Sequence, residues 1–291
     1  MTHRRAVFWM IVSTLMWSIA GVVTRFLESA RSFEVTFWRS AACAVALALL
    51  LCWMRGPLPL WQSLRSGGKA LWISGLCWSV MFTAFMLALT LTTVANVLVT
   101  MAIGPLLTAL IARAVLGHRL AARTWGAIVV AGIGIAWMYA RELGGGGSQH
   151  LLGTGVALCV PIAAAVNWTL LQHNRGEQRI DMLPAVLIGA VVSALATLPA
   201  SLPMAASPHD VGLLAMLGLV QLAIPCLVAV AAARVLSAPE AALLSLLEVI
   251  FGVAWAWLGA NEAPSLHVLG GGALVLVALA FNEGLALRRS G

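Results

Sequence analysis

The chain has 291 residues, of which 62% are hydrophobic and only 9% are charged. Soluble domains are about 45–50% apolar and ~25% charged, so this composition excludes an ordinary soluble protein and indicates a membrane protein. The net charge of +7 is explained by how Lys and Arg divide between the two sides of a membrane rather than by nucleic acid binding.

Apolar runs of about 20 residues recur along the whole chain, and each is long enough for a helix to cross ~30 Å of hydrocarbon. Polar residues, Gly and Pro between these runs predict ten spans, at residues 6–26, 33–54, 70–90, 94–116, 122–140, 152–173, 182–203, 211–233, 239–259 and 265–286. The longest connections are GPLPLWQSLRSGGK after the second span and GGGGSQ after the fifth. The predicted fold class is an all-α integral membrane protein with ten transmembrane helices.

The glycine run within residues 144–150 lies near the midpoint of the chain, and a run of this composition behaves as a flexible linker. It predicts two five-helix halves, at residues 1–143 and 151–291. Because five is an odd number, the second half is inverted relative to the first. Inverted repeats accompany alternating access in secondary transporters.

The positions of Lys and Arg predict the orientation. If the N-terminus is cytoplasmic, twelve of the seventeen basic residues fall in inner connections and tails, and the outer connections hold only Arg25, Arg31 and Arg141. Both termini are therefore expected in the cytoplasm, in a bacterial-type inner (plasma) membrane. A cleaved signal peptide is the alternative account of the first span, which is long for one.

One carboxylate, Glu248, lies in the middle of the ninth span within SLLEVIFG. An unpaired carboxylate near the midplane costs several kcal/mol or must hold a proton, so such a residue indicates function. On the helical face through Glu248, positions 241, 245, 252, 255 and 259 are Ala, Ser, Gly, Trp and Gly. This mostly small or polar face is expected to turn inward.

Arg39 lies about two turns from the outer end of the second span, where both snorkelling to the interface and a functional role are open. A second polar stripe in the fourth span consists of Thr93, Asn96, Thr100, Gly104 and Thr108. Such a stripe is typical either of close helix packing, with Thr hydroxyls bonded to their own backbone, or of a solute pathway.

Four helix-break candidates mark the middle of three spans: Gly104, Pro105, Pro161 and Pro225. Proline frees backbone groups that need another partner, and irregular backbone at the midplane is tolerated where it lines a cavity. Transporter binding sites are built in this way, although plain packing kinks are the alternative.

The residues of an intramembrane enzyme are not found. No HExxH, GxSxG or paired-Asp motif occurs, and the six histidines fall in tails, connections or span ends. The chain is therefore predicted to be no enzyme and to need neither cofactor nor metal.

Two segments resemble the two halves of EamA-type members of the drug/metabolite transporter superfamily. They are LLTALIARAVLGHRLAARTWGAIVVAGIGI at 106–135 and LLSLLEVIFGVAWAWLGANEAPSLHVLGGGALVLVA at 243–278. The family pattern, once per half, is a helix with a central Pro or Glu-Pro, a closing Leu-Gly-Glu and a Gly-rich helix. MWSIAGVVTRF at 16–26 is similar to the family's opening helix, and Arg39 matches a basic residue at the start of its second.

An offset of 144 residues aligns Gly104 with Glu248 and Pro105 with Val249. The chain departs from the family pattern at Val249, where Pro is usual, at His118, where Glu is usual, and at Ser18, where Gly is usual. The resemblance implies a secondary transporter that exports a small polar or amphipathic metabolite, such as an amino acid.

For that function we expect a central cavity that holds the solute, with the lipid bilayer as the surroundings and protons as a candidate coupling ion. The candidate substrate-binding or coupling residues are Trp17, Arg39, Trp78, Phe82, Phe85, Asn96, Thr100, Asn167, Gln221 and Glu248. Glu248 would contact an ammonium group or exchange a proton. A flippase for a lipid-linked substrate and a non-transporting membrane protein are the alternatives.

Overall fold

The computed structural model describes residues 1–92, 94–117, 121–138, 148–174, 181–260 and 265–290. Within these residues the chain forms helices and no strands. They are α1 His3–Trp17, α2 Ala20–Val23, α3 Ser32–Arg55, α4 Pro57–Ser66, α5 Gly68–Leu91, α6 Val94–Met101, α7 Gly104–Leu116, α8 Ala122–Met138, α9 Ser148–His173, α10 Pro184–Thr197, α11 Pro208–Met216, α12 Ile224–Ala232, α13 Ala238–Ser245, α14 Leu247–Ala260 and α15 Leu266–Ser290. A π-helical segment, Leu217–Ala223, joins α11 to α12.

Seven stretches of helix are long and apolar enough to cross a membrane: His3–Phe26, Phe33–Arg55, Gly68–Leu91, Val97–Leu116, Leu151–His173, Pro208–Ala232 and Ala238–Trp255. Three shorter apolar helices, Ala122–Trp137, Pro184–Thr197 and Leu266–Asn282, fall within the other predicted spans. The all-α membrane class is confirmed. The count of ten spans stays a prediction.

The first of the two long connections contains a helix, α4, that was not predicted from the sequence. α4 follows Gly56, whose φ of 86° favours glycine, and begins with Pro57, a residue suited to the first helical turn. The apolar side chain of Leu60 is buried in the core and holds this helix against the bundle. The glycines of the other connection, residues 144–147, lie outside the described residues.

Three spans are divided by short helix breaks, which fall at Ser18–Ile19, Ala102–Ile103 and Leu246. In the first, the Ser18 hydroxyl donates to the carbonyl of Leu15 at 2.7 Å, a local bond that competes with the regular helix ladder. The second break immediately precedes Gly104 and Pro105. The first and third breaks contain neither Gly nor Pro, and neither was among the predicted break positions.

The two proline candidates outside the fourth span behave differently from Pro105. α9 continues through Pro161 as a single helix, supported along its length by packing against α5 and α7. Pro225 lies in the first turn of α12, directly after the π-helical segment. The helix Pro208–Ala232 continues through this proline, so the wider π-helical turn that precedes it accommodates the missing N–H.

Helices of the two sequence halves pack against one another throughout the bundle. α3 packs between α10 and the π-helical segment, and α5 packs between α9 and α10. Near one end of α3, Glu34 accepts hydrogen bonds from the backbone N–H groups of Ala205 and Ala206. At its other end, Arg55 forms an ion pair with Asp181. Both ends of α3 are thus fixed to the second half.

Candidate functional site

A cavity of about 140 Å³ lies between helices of both halves. A single water occupies about 30 Å³ in the liquid, so this space admits a small solute. Most of its wall is apolar and aromatic. The structure brings together ten of the fourteen predicted site and break residues in this wall, namely Trp17, Arg39, Trp78, Phe82, Phe85, Gly104, Pro105, Pro161, Gln221 and Glu248.

Arg39 supplies the cation of the cavity. Its side chain is only 1% exposed, and one guanidinium nitrogen donates to the backbone carbonyl of Phe82 at 3.0 Å. Its Nε is buried and has no hydrogen-bond partner among the described atoms. An unsatisfied buried donor costs ~1–3 kcal/mol, and more when the group is charged, so a solute that accepts from Nε would recover this cost.

Glu248 supplies the carboxylate, from the first turn of α14. It interacts electrostatically with Arg39 across the cavity, but among the described residues the two form no direct ion pair. Opposite charges that face one cavity without touching leave both groups available to a ligand. Glu248 follows the helix break at Leu246 and lies in the lining of the cavity.

Aromatic rings form the wall beside these charges. The centroid of the Trp78 ring lies 5.6 Å from that of Phe82 and 6.3 Å from that of Trp168, the second pair in an edge-to-face arrangement. The indole N–H of Trp78 is buried without a hydrogen-bond partner in the described part of the chain. Trp168 was not predicted, although its step of seven residues from Pro161 places both on one face of α9.

Gln221 lies in the π-helical segment, an arrangement frequent at functional sites because it turns one side chain out of the regular ladder. Its amide nitrogen donates to the backbone carbonyl of Trp17 at 3.2 Å, whereas its amide oxygen is buried and unpartnered within the described structure. Among its described lining residues the cavity therefore contains an unused acceptor from Gln221, in addition to the Glu248 carboxylate, and unused donors from Arg39 and Trp78.

Three predicted residues, Asn167, Thr100 and Pro225, do not belong to this wall, and a fourth, Asn96, is not described there. Asn167 is fully buried, and its side-chain oxygen accepts a hydrogen bond from the Ser74 hydroxyl at 2.6 Å, which ties α9 to α5. Thr100 is buried outside the lining, and Pro225 precedes the lining residue Cys226. The side chain of Asn96 lies outside the described residues.

Two glycines hold the charged and aromatic walls in place. A Cβ on Gly189 would lie 2.4 Å from the Cβ of Trp78, and a Cβ on Gly218 would lie 2.6 Å from the backbone oxygen of Arg39. Only glycine permits these approaches without movement of the neighbouring chain. The close contacts of α10 with α5, and of the π-helical segment with α3, thereby fix Trp78 and Arg39.

Comparisons with known proteins agree with this architecture. The sequence model described as the EamA-like transporter family matches residues 4–140 and 151–283, in two successive repeats that together cover most of the chain. The chain belongs to the EamA-like transporter family. It is therefore a multi-pass membrane protein of two repeats, in a family of transporters rather than of enzymes.

A solved crystal structure shares the fold of this EamA-like protein, with a TM-score of 0.79 over 100% of both chains at 17% sequence identity. At that identity the likeness shows the fold alone. No curated protein shows significant sequence similarity to the chain.

One other cluster of the EamA-like chain has the residue types of a metal site. Glu28, His209 and Asp210 lie near one another at the end of the bundle where α11 begins. However, the buried Asp210 carboxylate already accepts hydrogen bonds from the backbone N–H groups of Glu28, Ser29 and Ala30. This geometry ties the connection between α2 and α3 to α11, and we assign it that structural role.

Proposed function

We propose that this EamA-like protein is a secondary transporter of the inner membrane that exports a small amphipathic metabolite by alternating access. The solute is expected to be an amino acid or a chemically similar compound. The observation that carries the proposal is that Arg39 and Glu248 face the same small, aromatic-walled cavity without pairing directly.

The cavity chemistry supports a solute with three parts. An ammonium group would bind Glu248, a carboxylate or other acceptor would bind the free donor of Arg39, and an apolar part would contact Trp78 and Phe82. Charge-assisted hydrogen bonds are roughly twice as strong as neutral ones, so they would fix the orientation of the solute. The aromatic wall would then select the size and shape of its apolar part.

Alternating access is supported by the broken helices that line the cavity. α6 and α7 come from the first repeat and α13 and α14 from the second, and breaks of this kind accompany the binding sites of transporters built from repeats. In this proposal the repeats are inverted, both termini are cytoplasmic, and the ten helices form two halves that rock about the cavity. Glu248 is then placed to exchange a proton between the two access states.

The first experiment compares metabolites in the medium of cells that overexpress the wild type, Glu248→Gln or Glu28→Gln at equal membrane abundance. Glu28 is an exposed acid far from the cavity, so Glu28→Gln makes the same chemical change without touching the site. We expect one small amphipathic compound to accumulate with the wild type and Glu28→Gln. With Glu248→Gln its export should fall at least tenfold, since a carboxylate that contacts the solute cannot be replaced by an amide.

The compound identified would then be loaded into liposomes that contain the purified protein. Export that responds to an imposed pH gradient in the wild type but not in Glu248→Gln would support proton coupling through that carboxylate. Equal export by wild type and Glu248→Gln would overturn the role of Glu248. Accumulation of no compound, together with lipid scrambling in the liposomes, would replace export by lipid flipping.

A further inference from the structure

The short helix α4 is unusual in this bundle because it lies between two spans without crossing the membrane. Its ten residues connect the end of α3 to the start of α5. Gly56 and Gly68 on either side have φ values of 86° and 61°, conformations that favour glycine. A Cβ on Gly67 would lie 2.8 Å from the backbone oxygen of Ser63. These glycines set α4 at a fixed angle to the spans.

Three faces of α4 have different characters. Leu60 is buried and Leu64 is partly buried against the core. Pro59, Gln62 and Ser66 form an exposed second face with two polar members. With about 3.6 residues per turn, this second face points away from the buried one.

The third face consists of Leu58, Trp61 and Arg65. No other part of the described structure covers these three side chains. Leu58 is 73% exposed and Trp61 is 59% exposed. The Arg65 guanidinium carbon lies 5.8 Å from the centroid of the Trp61 ring, in a cation–π arrangement. We call these three residues the α4 face.

The surroundings of the α4 face identify what covers it. Trp53 and Met54 at the end of α3, and Trp72 at the start of α5, are exposed on the adjoining spans. Large exposed apolar and aromatic side chains on spans contact lipid, and Trp gathers where the acyl chains meet the head groups. Lys69 is exposed in the first turn of α5, three residues after the end of α4. The α4 face therefore continues the lipid-facing surface and adds positive charge at its border.

The geometry points to α4 as an interfacial helix that binds the head group of an anionic phospholipid. Leu58 and Trp61 insert at the boundary of the acyl chains, and the remaining guanidinium donors of Arg65 contact the phosphate, with Lys69 as a second cation. The stacking of Arg65 on Trp61 holds the guanidinium at the interface and leaves its edge free. Basic side chains beside an interfacial helix favour anionic over zwitterionic lipids.

The test titrates the purified full-length protein in detergent with phosphatidylglycerol or phosphatidylcholine and counts bound lipids by native mass spectrometry. The wild type is expected to bind at least one phosphatidylglycerol more tightly than phosphatidylcholine. Loss of one basic group near an anionic surface corresponds to about fivefold weaker binding, so Arg65→Gln should weaken phosphatidylglycerol binding about fivefold. Phosphatidylcholine binding should not change.

Arg4→Gln provides the matched control, because Arg4 is an equally exposed arginine at the start of α1. The proposal predicts little change with this variant. Equal weakening by Arg4→Gln and Arg65→Gln would overturn the proposal, since it would show a diffuse effect of net charge. Equal wild-type affinity for the two lipids would overturn it as well. Trp61→Ala should reduce the preference for phosphatidylglycerol over phosphatidylcholine, because Arg65 is no longer held at the interface. An unchanged preference in that variant would show that Trp61 does not contribute to the lipid site.

Discussion

The two helix breaks that meet at the cavity perform the same task with different chemistry. Between α6 and α7 the break is followed by Gly104 and Pro105, and between α13 and α14 it is followed by Glu248 and Val249. These pairs correspond at an offset of 144 residues. Proline imposes the first break by removing a backbone donor, whereas the second needs no proline.

Hydrogen bonds at the second break show how a helix ends there without proline. The N–H of Leu246 donates to the carbonyl of Leu243 at 3.2 Å, and the N–H of Val249 donates to Leu246 at 3.1 Å. Both bonds span three residues, which is the tighter 3₁₀ pattern, and the first break has this pattern as well, from Ala102 to Val99 and from Ile103 to Thr100. The backbone is thereby satisfied within the break, and the side chain at position 248 is free to carry charge. The first break contributes shape to the cavity and the second contributes the carboxylate.

Proline substitution in α14 tests this difference most strongly. Val253→Pro places a proline in the regular part of the helix, where it removes an i→i−4 bond and is expected to cost about 3 kcal/mol or more. Val249→Pro removes only the bond to Leu246 and restores the pattern of the first break, so about 1 kcal/mol is expected. The measurement is the unfolding of each purified variant in one detergent. Equal losses would show that the break at Leu246 does not relieve the backbone at Val249.

The next largest loss of stability is expected from a substitution of Gly189, which lies behind the cavity wall, compared with Gly104, which lies in it. Gly189→Ala would place a Cβ 2.4 Å from Trp78 and 3.0 Å from the backbone oxygen of Gly75. This overpacking should cost roughly 1–3 kcal/mol. The matched variant Gly104→Ala meets only the Cβ of Pro161, at 3.6 Å, and should be nearly neutral.

Thermal unfolding and tryptophan fluorescence together check this pair of variants. Gly189→Ala should unfold earlier and change the environment of Trp78, because the added methyl displaces that ring. Gly104→Ala should do neither. A Gly189→Ala variant as stable as the wild type would mean that α5 and α10 separate easily, and Trp78 would then not be a fixed part of the wall.

The sequence predicted the membrane class, the family and ten of the residues that line the cavity, because each follows from local patterns. Glu248 and Arg39 were found from the high energy of a charge inside a span, and Trp78, Phe82 and Phe85 from helical spacing. The break at Leu246 was not predicted, since it contains no Gly or Pro and depends on tertiary packing. Asn167 was placed in the cavity because periodicity cannot distinguish a polar residue facing a ligand from one facing Ser74.

The helix α4 and the role of Asp210 were missed for related reasons. The prolines and glycines around α4 indicated a connection, and the packing of Leu60 and Leu64 against the core stabilises a helix there. Asp210 accepts its bonds from residues about 180 positions away, a separation over which sequence patterns carry no signal. Contacts between the halves thus account for the role of Asp210.

The smallest expected changes in stability come from side-chain hydrogen bonds near the two breaks. Trp255, on the helix after the second break, donates its indole N–H to the Ser18 hydroxyl at 3.0 Å and so joins α14 to the break in α1. Thr108, after the first break, donates only to Gly104 in its own helix, at 2.8 Å. Ser18→Ala should therefore cost about 1 kcal/mol, whereas Thr108→Val should change the unfolding free energy by less than about 0.5 kcal/mol. Unfolding in detergent would measure the free energy of both variants. A larger loss of stability from Thr108→Val would show that the first break also depends on a side-chain hydrogen bond and not on proline alone.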